Sequence, residues 1–380
     1  MEQLVRLGDV CTVVSGSTPK TSVDEYWNGD VKWITPAELD ADSYYIHDSV
    51  KHITELGRTK TGLSYMPVGT VILSSRAPIG KTAILGCEMC CNQGFKNLIC
   101  TDRIFNEYLY HFLRAKTNYL NSLGRGATFK ELSKGIVENV LIPLPAIEEQ
   151  HHIADLFASV EELIQTKKQQ LDLFDELVKS RFIELFGDPE TNPKGLEKVL
   201  LSDIAEYFNG LTYSPDNVTN DGTIVLRSSN IQNSQLDFAD TVRVNSSIKD
   251  KLFVKDNDIL MCSRNGSARL VGKVALIKNL SEPMTFGAFM MIIRSRYYPY
   301  LMTYFQMDAF RRQIATGATT TINQITGNML NKISLPLPNM ADINEFATFV
   351  EQTDKSKSAV QQSIAELEEL KKSLMQKYFG

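Results

Sequence analysis

The sequence predicts an α+β fold in which two mixed α/β units alternate with two long helices, the whole carrying an internal pseudo-twofold repeat. Three observations predict it. Residues 143–187 lie over residues 336–380 at a constant offset of 193, without a gap. Both copies carry the four-and-three apolar spacing of a helix seam. Between them stand short β-rich runs broken by glycine, asparagine and proline. The organisation expected is a first unit over 1–145, a helix over 146–187, a second unit over 188–338 and a helix over 339–380.

In the first unit Val5-Arg-Leu-Gly-Asp-Val10 resembles Val199-Leu-Leu-Ser-Asp-Ile204 in the second, and Gly16 stands over Gly210. Val68–Leu73 and Asp258–Cys262 read as strands. Helices are expected near 106–121 and again near 300–314. The first long helix has its seam through Ile153, Phe157, Val160, Ile164, Lys167, Leu171, Phe174, Val178, Arg181 and Leu185; the second through Phe346, Val350, Thr353, Lys357, Val360, Ile364, Leu367, Lys371, Leu374 and Tyr378. Pro145 and Pro338 precede the two helices, Glu148 and Glu149 sit at the positive end of the first helix dipole, and Asn339 with Asp342 forms a capping pair. Equal length and phase favour packing of the helices on each other. The polar seam residues would then fix register or meet another subunit. Asp188–Gly195, dense in turn formers, reads as the linker.

With 380 residues, 43% hydrophobic and 22% charged, the chain is an ordinary globular one. No apolar run approaches the roughly 20 residues needed to span a bilayer, and the first residues lack a signal-peptide pattern. A cytoplasmic location without a membrane partner is expected. Four of the six cysteines cluster (Cys87, Cys90, Cys91 and Cys100), but their spacing fits no standard zinc finger. Reduced cysteines packed as small hydrophobes are expected, and no metal site.

The stretch Ser75-Arg-Ala-Pro-Ile-Gly-Lys-Thr82 ends like a phosphate-binding loop. The first glycine of that motif is Ser75 here, Pro78 removes an amide from the cradle, and a strand rather than a helix follows. The second unit has Ser263-Arg264 and Gly272-Lys273 on a loop four residues longer, with no Ser or Thr after the lysine. What recurs is strand, Ser-Arg, variable turn, Gly-Lys, strand. One frame with two different tips suits recognition, because arginine bridges guanine O6 and N7 and asparagine reads adenine. A turn with a solvated arginine is the alternative.

The acid excess behind the net charge of −5 belongs to the helices: residues 146–187 hold 9 acidic and 4 basic residues, 339–380 hold 7 and 5, and the rest 29 and 31. Units so close to neutral would not coat DNA through charge alone. An enzyme is disfavoured. There is no Asp/Asn-Pro-Pro-Tyr/Phe methyltransferase motif and no glycine-rich cofactor loop, and Pro215-Asp216 has no credible acidic-x-Lys partner downstream, since Glu369-Leu-Lys371 lies on the second long helix. The histidines form no triad or metal pattern, so no catalytic residue is assigned.

The motifs Ser74–Lys81, Gly126-Ala-Thr-Phe-Lys-Glu-Leu132, Ile142–Phe157 and Leu185–Gly195, together with the twofold repeat, resemble the specificity subunit of type I restriction–modification systems. The resemblance covers the whole chain. It implies two target recognition domains, held apart by an antiparallel coiled coil, each reading half of a bipartite double-stranded DNA site. From Ile153 to Leu185 a helix rises roughly 50 Å, which spans on the order of 14 base pairs. It implies two methyltransferase subunits docked on the helices and a restriction/motor subunit joining them. S-adenosylmethionine, ATP and Mg would be used by those partners, with no cofactor in this chain. The second copy departs from the pattern, with Asp342-Ile343 where the first has Glu149-Gln150.

Under this reading the DNA-binding candidates of the first unit are Ser75, Arg76 and Lys81, followed by Arg125, Thr128 and Lys130. Those of the second are Ser263, Arg264, Asn265 and Lys273, followed by Thr319, Asn323 and Gln324. Arginine and asparagine would read base edges; Ser, Thr and Lys would grip phosphates. The subunit-interface candidates are Pro143, Pro145, Gln150, Ile153 and Phe157, with Pro336, Pro338, Phe346 and Val350 as the second copy. These apolar residues would equally serve to hold the helices together. A coiled-coil scaffold binding proteins through its variable units is the alternative function.

Overall fold

The computed structural model describes residues 3–40, 42–76, 78–126, 130–315 and 324–380. The chain forms two compact units. One comprises Met1–Gln169 with Gln361–Gly380, the other Gln170–Val360. Each unit therefore contains one mixed α/β body and one half of each long helix.

In the first unit the described residues place Cys11–Ser15, Phe95–Cys100, Val71–Ser74, Thr82–Leu85 and Tyr45–Ile46 side by side in one sheet. The pairs between the first four strands are antiparallel. Trp27–Ile34 pairs with His52–Ile53 on one side and Cys90–Cys91 on the other. The second unit repeats the main sheet as Glu206–Asn209, Met290–Arg294, Ile259–Cys262 and Val274–Leu276. A second sheet there joins Val218–Thr219, Arg243–Val244, Thr223–Leu226 and Met284–Phe286. The repeated glycine has a steric reason. A Cβ at Gly16 would lie 2.1 Å from the Asn92 carbonyl oxygen, and one at Gly210 2.1 Å from that of Gly287.

A short antiparallel ladder leads into each long helix: Leu4–Arg6 with Leu141–Pro143, and Lys198–Leu200 with Ser334–Pro336. Proline, lacking an N–H, is tolerated there because it stands at the ladder's end. A buried tyrosine holds each lead-in. Tyr108 Oη donates to the Pro143 carbonyl (2.9 Å) and Tyr300 Oη to that of Pro336 (2.7 Å). Short helices before the ladders are capped alike, by Ser133 accepting from the Ile136 amide and Thr326 from the Met329 amide, both at 3.3 Å.

The long helices run Ile147–Phe186 and Met340–Phe379. Acidic residues occupy their first turns, and Asn339 Oδ1 accepts from the Asp342 amide at 3.0 Å, which confirms the capping pair. In both units the helices run antiparallel. Phe157 stacks on Phe379 in the first unit, at a centroid distance of 5.7 Å; in the second, Phe182 and Phe186 meet Phe346 at 5.7 and 5.3 Å. Three of the polar seam residues find acidic partners on the facing helix. Lys371 pairs with Glu161 (2.5 Å), Arg181 with Glu345 (2.5 Å) and Lys357 with Asp175.

The two short-helix expectations differ from what is found. The helix expected near 106–121 is split into Asn106–Ala115 and Thr117–Leu123, because Lys116 leaves helical geometry and Thr117 Oγ1 donates to the Arg114 carbonyl (2.9 Å), competing with the backbone. Its counterpart is likewise split into Tyr298–Tyr304 and Asp308–Ala315. The stretch read as a linker, 188–195, is an ordered turn. Lys194 Nζ donates to the Glu184 and Leu185 carbonyls (2.7 and 2.8 Å), closing the end of the first long helix.

Candidate nucleic-acid interface

The repeated Ser-Arg/Gly-Lys segment is the tip of an antiparallel pair in each unit, Val71–Ser74 with Thr82–Leu85 and Ile259–Cys262 with Val274–Leu276. Its fixed letters have structural causes. Gly80 and Gly272 adopt φ of 101° and 81°, the left-handed region that favours glycine. The lysines that follow turn inward. Lys81 Nζ donates to the carbonyls of Pro36 (3.2 Å) and Leu39 (2.5 Å), and Lys273 Nζ to that of Ile231 (3.2 Å). Each lysine thus ties its hairpin to a turn of its own unit. In the first unit the amides that a phosphate would need are already used: Lys81 N donates to Ser74 Oγ (2.9 Å) and Gly80 N to the Ser74 carbonyl (3.1 Å).

The serine is a pivot. Ser75 and Ser263 are buried. Their amides donate to the Gly94 and Phe289 carbonyls, at 2.7 and 3.0 Å, and their carbonyls accept from Leu132 N and Ile325 N, at 2.9 and 2.7 Å. The next residue, Arg76 or Arg264, is exposed and forms an isolated antiparallel bridge with Glu131 or Gln324 on the returning segment. Two arginines therefore stand at equivalent positions, backed by the same backbone frame. Arg264 lies over the Phe289 ring, 5.5 Å from its centroid. Asn265 Nδ2 donates to Ser228 Oγ (3.3 Å), while its Oδ1 accepts from Ser267 N (3.0 Å).

Arg125 is exposed and its backbone exchanges two bonds with Glu131, at 3.1 and 2.9 Å. Lys130 and Gln324 are exposed on the same returning segments. Thr128, Thr319 and Asn323 lie outside the described residues. The structure thus brings Ser75, Arg76, Arg125 and Lys130 together around one returning segment, and Ser263, Arg264, Asn265 and Gln324 around its counterpart; Lys81 and Lys273 reach away to backbone carbonyls outside their hairpins.

The interface candidates are woven into their own units. Gln150 is buried: its Oε1 accepts from Phe105 N (2.8 Å), and its Nε2 donates to the Arg103 and Pro145 carbonyls (both 3.0 Å). Ile153 and Phe157 lie in the first unit's core, and Phe346 in the second's with Val350 against it. Pro336 and Pro338 are buried, while Pro143 and Pro145 keep partial exposure. Ile343, the counterpart of Gln150, is a buried apolar core residue, so the departure at Asp342-Ile343 exchanges a hydrogen-bonded lead-in for a packed one.

Cys11 and Cys100 face each other across paired strands, and Cys90 and Cys91 are buried. Burial holds the Cys90 thiol up at about 11. Among the described residues no group of three or more His, Cys, Asp or Glu is placed to hold a metal, and no helix is long and apolar enough to cross a membrane. Sequence reasoning missed Tyr108, Tyr300, Lys96, Glu131 and Phe289. The 192-residue separation of the tyrosines and the alignment of Glu131 with Gln324 were readable signals; the approach of Lys96 and Phe289 from a separate strand was not.

The family model described as type I restriction modification DNA specificity domain matches residues 2–173 and again 193–369. The chain belongs to the type I restriction–modification DNA specificity family. It is 38% identical over 225 residues to the type I restriction enzyme MjaIX specificity subunit of Methanocaldococcus jannaschii, a match that covers 54% of this chain and about half, 52%, of that relative. The MjaVIII specificity subunit of the same organism is 22% identical over 98% of this chain and 91% of its own length. The EcoKI specificity subunit of Escherichia coli is 24% identical over 80% and 72%. In fold, this family member is similar to the type I S subunit of M. genitalium (TM-score 0.55, 13% identity, 100% and 96% of the two chains). It is also similar to a chain from a structural study of complex assembly and conformational transition in the type I system (TM-score 0.60, 20% identity, 99% and 97%). The two family matches fall on the two units that carry the arginine hairpins.

Proposed function

We propose that this chain is the DNA-recognition subunit of a type I restriction–modification complex, each specificity domain reading one half of a bipartite double-stranded site. The observation that carries this is the repeated hairpin. In each domain a buried serine anchors an exposed arginine on a rigid two-sided backbone frame, as side-chain readout of base edges requires. Arg76 and Arg264 would read bases, with Arg125 beside the first and Asn265 and Gln324 beside the second, and Lys130 would contact phosphates.

The helices would dock two methyltransferase subunits, with a restriction/motor subunit joining the assembly. Large apolar side chains left exposed along them support this: Leu163 is 50% exposed, Leu173 62%, and the repeat-related Leu177 and Leu370 48% and 46%. Methyl transfer using S-adenosylmethionine and ATP- and Mg-dependent cleavage would be the partners' chemistry; this chain supplies positioning.

The test is a map of adenine methylation by single-molecule sequencing, in cells expressing the partner methyltransferase with and without this chain. One split motif should disappear with the chain. An unchanged methylome, with both proteins present, would overturn the assignment and favour a protein-binding scaffold.

A further inference from the structure

The first unit's hairpin stands on a charged network that the second unit replaces. Lys96, on the strand beside the hairpin, has a side chain only 6% exposed. Burial lowers its pKa, and Glu131 opposes that shift. Lys96 Nζ donates to Ser75 Oγ (3.3 Å) and lies 3.7 Å from Glu131 Oε1. The other carboxylate oxygen, Oε2, takes Arg76 Nε at 3.1 Å. One carboxylate therefore holds two cations, a buried one at the base of the hairpin and an exposed one at its tip.

The backbone bonds give the equivalent positions in the second unit. Ser75 N binds the Gly94 carbonyl and Ser263 N that of Phe289, so Lys96 corresponds to Met291. Leu132 N and Ile325 N bind the serine carbonyls, so Glu131 corresponds to Gln324. Both members change together. A buried lysine with a carboxylate becomes a buried methionine with an amide, as the cost of an unpaired buried charge demands. The arginine there is supported by the Phe289 ring instead.

We infer that Glu131 is the positioning residue for Arg76, and that the Lys96–Glu131 pair determines how strictly the first half-site is read. An arginine discriminates bases only if its fork is held at a fixed angle, and its free side chain is rich in rotamers. Glu131 holds Arg76 through Nε, which leaves the two terminal nitrogens to bridge guanine O6 and N7. Lys96 offsets the carboxylate's charge, so the tip stays positive towards DNA. This rests on the DNA-reading function proposed above.

The test uses the full chain with its methyltransferase partner, reading Tm and the methylated motif. Glu131→Gln alone strands the Lys96 ammonium beside a neutral amide and should lower Tm. Lys96→Met with Glu131→Gln installs the second unit's pair, and should recover wild-type Tm while discrimination in the first half of the motif falls about tenfold. The second half should not change. A double variant with wild-type Tm and an unchanged first half overturns the inference. If the double variant stays below wild-type Tm, Glu131→Asp decides: it keeps the charge beside Lys96 but draws the carboxylate back from Arg76 Nε, and an unchanged first half there overturns the inference equally. A wild-type complex that writes no split motif overturns instead the DNA-reading assignment on which this stands.

Discussion

His111 shows what a single residue reveals only in three dimensions. It is fully buried, stacked on Phe157 at 4.8 Å and edge-on to Tyr110 at 5.0 Å, and neither ring nitrogen has a hydrogen-bond partner among the described residues. Burial first, then Lys371 and Arg114, push its pKa down from 6.5 to about 3. The folded form excludes a proton that the unfolded chain binds below pH 6.5, so stability is full above that pH and falls as the pH drops towards 3. At pH 5 the loss should be on the order of 2 kcal/mol. His111→Phe should flatten this part of the curve, measured by urea unfolding between pH 5 and 7.5; an unaltered pH dependence would rule His111 out as its source. In sequence this residue was one of five histidines without a pattern. Gln150 was similarly opaque: the sequence placed it at a partner surface, and the fold spends its amide on three backbone groups.

At the scale of elements, periodicity and caps were legible and charge pairing was not. The heptad seam, the acidic first turns and the Asn339–Asp342 cap are local, so spacing alone reports them. The strand pairs are not local, and neither is the ion pair locking two strands of the second unit. Arg294 Nε and Nη2 engage Asp258 Oδ1 and Oδ2 at 2.7 and 2.6 Å, with the aspartate almost fully buried and the arginine over Phe208. Arg294→Met should cost about 3–5 kcal/mol by leaving an unpaired buried carboxylate. Adding Asp258→Asn should recover most of it. A chemical denaturation series checks both, and a loss under 1 kcal/mol for the single variant would count against the pair's role.

For the whole molecule the repeat is the organising fact. Each unit receives its own ladder, tyrosine anchor, cap and hairpin, so each should carry its own specificity. Exchanging residues 188–338 for the matching segment of a relative with a different motif should change one half of the methylated site and leave the other as it was. A change in both halves would contradict the separation of the two readers.

The sequence by itself determined the twofold repeat, the two long helices, the recurring Ser-Arg/Gly-Lys frame and the family, because these are written in spacing and local residue chemistry. Only the tertiary structure decided which cations face solvent. Lys81 and Lys273 satisfy backbone carbonyls, Arg76 leans on Glu131, and Arg264 lies over Phe289. Those outcomes depend on strands that come from distant parts of the chain. Desolvation in the assembled unit, not residue type, sets where each charge can rest.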